Sequence, residues 1–419
     1  MAKQGDKGIV WCDETWNPTR GCSRVSEGCR NCYAETVARR FSGPGLPYEG
    51  LVNEHGRWNG KIHEVLGEKL AAPIRWKRPR RIFVDSMSDL FHENVDGLVI
   101  ERVFGIMAVA SQHTFQVLTK RPERAVRFFQ GWHVDDGVAA MGAHYARIAG
   151  RKHFVWDGRG GDPGAYGHWG NDEKAKQLRE RRPWPGWPLP NVHIGVSVED
   201  QETADERIPL LLQIPAAIRF LSVEPMLGPV DLTRIANWVH PPEYRTTVDV
   251  LRFGTWDGAV NGVGFINHSD MYDLFGRPLQ WVIGGGESGP DARPVHPEWA
   301  RSLRDQCVSA GTKFLWKQWG EWAPFSQVPE DLVESTYRSR MKAGEGEDQG
   351  ALDELYGRDC TVEQLCLRAD GNHLSMSDPN AFRSDVPGWP AMQAFRLGKK
   401  RSGRMLDGRT WDEFPTALP

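Results

Sequence analysis

A chain of 419 residues, 40% hydrophobic and 26% charged, is globular in composition and long enough for one large barrel or two to three ordinary domains. Its net charge of −3 gives no overall attraction to nucleic acid, and its seven cysteines, an odd number, make no regular disulfide framework. The first residues lead into no apolar signal-peptide core and no run approaches a membrane-spanning length, so a soluble cytoplasmic protein is expected.

A first strand is predicted before Cys22, and a helix opens near Cys32. Short apolar runs then read as buried strands, most of them followed by a helical pattern. The predicted strands are 82–86, 114–119, 192–198, 218–223, 281–284 and 313–316. Helices are expected at 99–110, from Pro122 onward, at 201–213 and at 297–310. This alternation predicts a parallel α/β domain of about seven strands. A complete or partial (β/α) barrel over residues 1–325 is favoured over an open doubly wound sheet, because polar residues gather at the carboxyl ends of several strands. Two segments, about 131–190 and 233–280, interrupt the pattern and read as long loops rich in Gly, Trp, Arg and Pro. Residues 326–419 read as a mixed C-terminal extension packed on the barrel. The chain holds eighteen tryptophans, expected mainly to pin these long loops, with some free to stack on planar substrates.

The most informative local feature is the set Cys22, Cys29 and Cys32, with six residues in the first gap and two in the second. A chain of this size needs no disulfides to fold, so three clustered thiols point to a metal or an iron–sulfur cluster. Three thiolates leave one iron of a cubane cluster open to an outside ligand, as reductive S-adenosylmethionine (SAM) chemistry requires. Gly21 and Gly28 precede cysteines and supply backbone freedom, and the helix after Cys32 would aim its first amides at the cluster. The alternatives are zinc, with a fourth ligand from His55, His63 or a more distant histidine, and no metal at all. Cys12, Cys307, Cys360 and Cys366 read as core thiols.

Eight stretches carry a resemblance: WNPT at 16–19 through CYAE at 32–35, FVDSMSDLF at 83–91, LTKRP at 118–122, GVSVE at 195–199, FLSVEP at 220–225, GGESG at 285–289, FLWKQWG at 314–320 and the basic segment 398–409. With these the chain resembles the phage-associated Gp37/Gp68 family, a branch similar to radical SAM enzymes, and its Cys-x-x-Cys-Tyr-Ala stretch is similar to one in the spore photoproduct lyase branch. The resemblance implies a radical SAM barrel with a [4Fe-4S] cluster on Cys22, Cys29 and Cys32. It also implies SAM as co-substrate, cleaved to methionine and a 5′-deoxyadenosyl radical that abstracts hydrogen in the barrel mouth. A flavodoxin- or ferredoxin-type electron donor and a phage-encoded partner protein are further implied. The family resemblance departs at the cysteines, since the usual spacing is three then two and the usual aromatic before the third is here Asn31, with Tyr33 following it.

Within that frame the strand ends supply the expected cofactor contacts. Period-2 alternation puts Gly195, Ser197 and Glu199 on one face, and Phe220, Ser222 and Glu224 on one face of the next strand. Ser86, Ser88 and Asp89 extend another strand, Lys120 ends a fourth, and Glu287 follows a glycine run on a fifth. Tyr33, Ser86, Ser88, Asp89, Lys120, Ser197, Glu199, Glu224 and Glu287 are thus expected around SAM or substrate. The alternative is structural pairing of Glu199 and Glu224 with barrel Arg or Lys. Basic clusters at 75–81, at Arg179, Arg181 and Arg182, and at Lys399, Lys400, Arg401 and Arg404 favour a nucleobase, nucleotide or nucleic-acid substrate. The competing reading is a noncatalytic nucleic-acid-binding protein with a structural zinc or cluster.

Overall fold

The computed structural model describes residues 9–130, 141, 144–145, 188–236, 247–256 and 276–415, with backbone only at 254–256. Seven parallel strands form the central sheet: β1 (Glu14–Trp16), β2 (Arg81–Val84), β3 (Thr114–Thr119), β4 (Val192–Val198), β5 (Ile218–Val223), β6 (Trp281–Gly284) and β7 (Lys313–Trp316). They lie side by side in chain order, which is the order a barrel follows and a doubly wound sheet does not. The strand limits expected from apolar runs hold to the residue for all but the first two. The helices around them are α1 (Tyr33–Arg40), α2 (Gly97–Val109), α3 (Pro122–Gln130), α4 (Gln201–Gln213) and α5 (Pro297–Ala310).

Local chemistry explains where the helices begin and end. Asp96 caps α2 by accepting from the Leu98 amide at 2.8 Å. Asp200 and Thr203 form a reciprocal capping box at the start of α4. Gly311 stops α5 with φ +73°, a left-handed turn that glycine takes without steric cost.

Alternation along each strand divides the interior. Ile194, Val196, Val198, Leu221, Val223 and Val282 join the apolar layer that includes α2, α4 and α5 residues. The opposite face carries Phe83, Phe220, Trp281, Ile283 and Leu315, packed with Trp11. The Trp11 ring lies 4.5 Å from Phe83 on β2 and 6.3 Å from Trp281 on β6. One side chain can touch both strands only if the sheet curls, so the seven strands make a half-barrel with an aromatic floor at their amino ends.

The C-terminal segment completes this floor. Trp316 donates its amide to Trp411 O at 3.0 Å, and Glu413 donates to Phe314 O at 3.2 Å, so the tail runs along the outer edge of β7. Phe414 packs 5.4 Å from Trp281 and beneath the Arg81 guanidinium of β2. The extension also holds a four-stranded antiparallel sheet, of Trp322–Pro324, Gln364–Arg368, His373–Leu374 and Ala391–Arg396, more regular than the mixed pattern expected.

The segment 233–280 was expected to be loop. Its described part instead forms a small antiparallel sheet of Ile235–Ala236, Thr247–Asp249 and Gly254–Trp256, because Ile235, Val248, Val250, Leu251 and Phe253 bury against the outer core. The bulk of the 131–190 segment, with Arg179, Arg181, Arg182, Trp184 and Trp187, lies outside the described residues. Cys12, Cys307 and Cys366 are core thiols as expected, whereas Cys360 is only half-buried. Among the described residues no helix is long and apolar enough to cross a membrane.

Candidate functional site

The loop from Gly21 to Cys32 crosses the carboxyl ends of the strands between β1 and α1. Gly21 has φ +100°, and a Cβ there would come 2.1 Å from Lys61 O, so this position requires glycine on both counts. Cys22 and Cys32 are half-buried against Ala34, Ala38, Leu51, Trp58 and Met87. Desolvation pushes the Cys22 thiol up to about 12; the Asp89 carboxylate adds to this and the Arg121 guanidinium opposes it. Cys32 is raised for the same first reason, while the Ala34 and Glu35 amides at the start of α1 pull it down. The three thiols sense one another in sequence, Cys22 with Cys32 and Cys32 with Cys29, and all seven cysteines are unpaired.

Among the described residues no three or more His, Cys, Asp or Glu side chains converge so as to hold a single metal ion. A four-iron cluster makes a different demand, because each thiolate binds its own iron and the sulfurs stand farther apart than around one ion. The features that fit a cluster are three thiols on one short loop and helix-start amides working toward the thiolate at Cys32, against the desolvation that raises Cys22 and Cys32.

The strand-end residues meet this loop from below. Glu199, 1% exposed, accepts from Ser26 Oγ at 2.9 Å and from Arg207 at 3.2 Å, and is also paired with Lys120. Asp89 accepts from Thr119 Oγ1 at 2.8 Å, from the Lys120 amide at 3.0 Å and from Arg121 at 3.2 Å. Arg121 also donates to Ser23 Oγ and O at 2.8 and 3.0 Å, pairs with Glu93, and lies 3.8 Å from Cys22 Sγ. Ser88 donates to Gly21 O at 2.7 Å. Glu287 takes the Asn31 amide at 3.1 Å and the Arg293 guanidinium at 2.7 Å, and Arg293 reaches on to Glu27 O at 2.9 Å.

Five of the nine expected cofactor contacts, Ser88, Asp89, Lys120, Glu199 and Glu287, therefore bond to the cysteine loop or to its immediate supports. Lys120 is spoken for by Glu199, so it is not a free cation awaiting a ligand carboxylate. Structural pairing, the alternative raised from the sequence, describes Glu199, and it describes Glu224 too, which lies 3.1 Å from Lys317. The physical reason is desolvation: carboxylates this close to a packed sheet need a cation from the protein itself.

The other four are Tyr33, Ser86, Ser197 and Glu224. Tyr33 is 50% exposed, with its ring toward the concavity and its hydroxyl donating to Ser86 O at 2.7 Å. Its phenol is raised above the ordinary range, first by desolvation and then by Cys32 and Glu224, which places all three groups in one neighbourhood. Ser86 Oγ donates to Asn17 Oδ1 at 3.1 Å. Ser197 is buried on the inner face with Ser222, above the aromatic floor. Gly285 lies so near Glu224 that a Cβ would meet its Oε1 at 2.5 Å.

The sequence reading passed over Arg121, Arg207, Asn31, Arg293 and Lys317. A signal for Arg207 was present: Ala204, Arg207, Ile208 and Leu211 form the buried stripe of α4, and an arginine on an apolar stripe needs an acidic partner below it. The basic cluster at 75–81 lies at the wrong end for the site. Arg81 starts β2 and pairs with Asp13, and Arg80 pairs with Glu14 and packs on Trp76. Lys399, by contrast, is held below the usual ammonium range first by desolvation and then by Lys317, with Glu224 opposing, while Arg401 bonds to Ser335 and Arg404 pairs with Asp412.

Arg121→Met keeps the length of the side chain and removes its charge. The loss of a cation from buried Asp89 and of two bonds to Ser23 is expected to cost about 3 kcal/mol. Urea unfolding measures this, and a loss under about 1 kcal/mol would mean that Asp89 is satisfied by its amide and hydroxyl donors alone.

Residues 6–415 match the family described as Protein of unknown function (DUF5131), and the chain belongs to that family. No curated protein and no solved structure matches it.

Proposed function

We propose that this DUF5131 protein is a radical SAM enzyme of the kind its Gp37/Gp68 resemblance implies, acting on a nucleobase, nucleotide or nucleic acid. The observation that carries this reading is the placement of Cys22, Cys29 and Cys32 together on one loop at the carboxyl ends of a parallel half-barrel. Those three residues would hold a [4Fe-4S] cluster. Such a cluster, when bound, supplies the electron for reductive cleavage of SAM.

The chain's own residues would bind, orient and shield. Tyr33 offers an exposed aromatic face beside the third cysteine, suited to stacking on a planar base. Ser197 and Ser222 put hydroxyls on the inner wall, and Glu224 with Lys317 offers an acceptor and a donor at the rim. The aromatic floor of Trp11, Phe83, Phe220 and Trp281 closes the amino end against water. Lys399, which feels the charges of Lys317 and Glu224, suits a substrate phosphate. Seven unpaired cysteines suit a reducing cytoplasm, where a flavodoxin- or ferredoxin-type protein would donate electrons and a phage-encoded partner would act alongside.

The test is protein purified without oxygen, assayed for iron and sulfide and then reduced with SAM. About four irons per chain and release of 5′-deoxyadenosine are expected. One zinc per chain with no cleavage would overturn the proposal and return the loop to a structural role in a noncatalytic nucleic-acid-binding protein.

A further inference from the structure

We infer that Glu199 is a positioning residue for the cysteine loop, holding Cys29 in place through Ser26 and Gly28, rather than a ligand for any bound molecule. Glu199 stands at the carboxyl end of β4, almost fully buried. Lys120 from the end of β3 and Arg207 from α4 both pair with it. Its upper surface is covered by the loop. Ser26 Oγ donates to Oε1 at 2.9 Å and lies 3.9 Å from Cys29 Sγ, so one hydroxyl touches both the carboxylate and the thiol. A Cβ on Gly28 would sit 2.4 Å from Oε1 and 2.5 Å from Cγ of Glu199, closer than real Cβ atoms approach. Gly28 is thus glycine for close approach rather than for an unusual dihedral, since it is not among the positive-φ residues.

Lys120 and Arg207 thus hold Glu199 from below while Ser26 meets it from above. The side-chain bonds to the Glu199 carboxylate come from Ser26 of the loop, Lys120 at the end of β3 and Arg207 of α4. The importance of this support for catalysis rests on the cluster reading above; the mechanical part does not.

The experiment uses the full chain without a cluster, so it stands even if no iron is found. Native-state labelling by iodoacetamide is followed at each cysteine by mass spectrometry. Gly28→Ala leaves the Lys120–Glu199–Arg207 group intact and lifts the loop from it, and is expected to speed Cys29 labelling about tenfold. Cys307, buried in the outer core, should stay protected, and the urea midpoint should move little. Glu199→Gln keeps the shape and removes the charge, and should speed Cys29 labelling as well. If that variant fails to fold, Gly28→Ala decides alone. Unchanged Cys29 labelling in folded Gly28→Ala overturns the inference, as does equal acceleration at Cys307, which would indicate global loosening rather than a released loop.

Discussion

Cys22→Ala is expected to reduce bound iron to background and abolish SAM cleavage while leaving the half-barrel folded. A cluster with one open iron needs three thiolates, and Cys22 would supply the third beside the Cys29-x-x-Cys32 pair. Two remaining thiolates from one turn cannot hold it. The structural cost is small by comparison. Cys22 is half-buried at the margin of a minor apolar cluster, outside the main core. Removing its sulfur costs on the order of 1 kcal/mol. The backbone around it stays anchored, since Gly21 N bonds to Met87 O, Gly21 O accepts from Ser88, and Gly60 N bonds to Cys22 O. Iron analysis, 5′-deoxyadenosine assay and a melting curve separate the two effects. Cleavage that persists in the variant would sink the cluster assignment.

Much of the fold was legible because buried parallel strands are short apolar runs bounded by capped helices. Residues 192–198 and 201–213 show this: Val192, Ile194, Val196 and Val198 alternate with His193, Gly195 and Ser197, then Asp200 and Thr203 announce the helix. The small sheet at 235–256 was missed because its strands are two or three residues long, too short for a period to show. At the site, strand alternation shows which residues gather at the carboxyl ends but not which protein groups they meet. Alternation correctly placed Glu199 and Ser197 on the inner face, but a one-dimensional pattern cannot say that a loop some 170 residues earlier in sequence would cover Glu199. The pairs Asp89–Arg121 and Glu287–Arg293 are likewise set by three-dimensional approach. The desolvation argument that made these carboxylates conspicuous holds: Glu199 and Glu287 meet Ser26 and Asn31 of the cysteine loop, and Asp89 meets Thr119, the Lys120 amide and Arg121.

Asp85→Asn is expected to make the protein more stable at pH 8 and nearly neutral in effect toward pH 4. Asp85 ends β2 with φ +57°, and its side chain is buried. Oδ1 accepts from the Thr19 amide at 3.0 Å. Oδ2 lies 3.0 Å from Thr19 Oγ1, which lies 2.9 Å from Ser88 Oγ, which lies 2.7 Å from Gly21 O. A carbonyl only accepts, so Ser88 gives its proton to Gly21 and takes one from Thr19. Thr19 then has none left for Asp85, and the chain closes only if Asp85 carries its own proton and donates to Thr19 Oγ1. The electrostatics agree: desolvation first, with Asp89 adding to it, pushes this carboxyl up to about 8 against the opposing Thr19 bonds. A carboxyl raised in the folded state keeps its proton while the unfolded chain has already lost it. The folded form therefore binds more protons between about pH 4 and 8, and stability falls with rising pH by about 1.4 kcal/mol per unit across that window. Asparagine reproduces the protonated form, with Nδ2 donating to Thr19 Oγ1 and Oδ1 accepting the amide, and it tolerates the left-handed backbone. It does not titrate, so its advantage over the parent should widen from pH 5 to pH 8 and then level off. Urea midpoints at those two values measure the gap. A gap that is constant with pH, or a variant less stable at pH 8, would show that Asp85 is ionised and that Thr19 gives its hydroxyl proton to Asp85 rather than to Ser88.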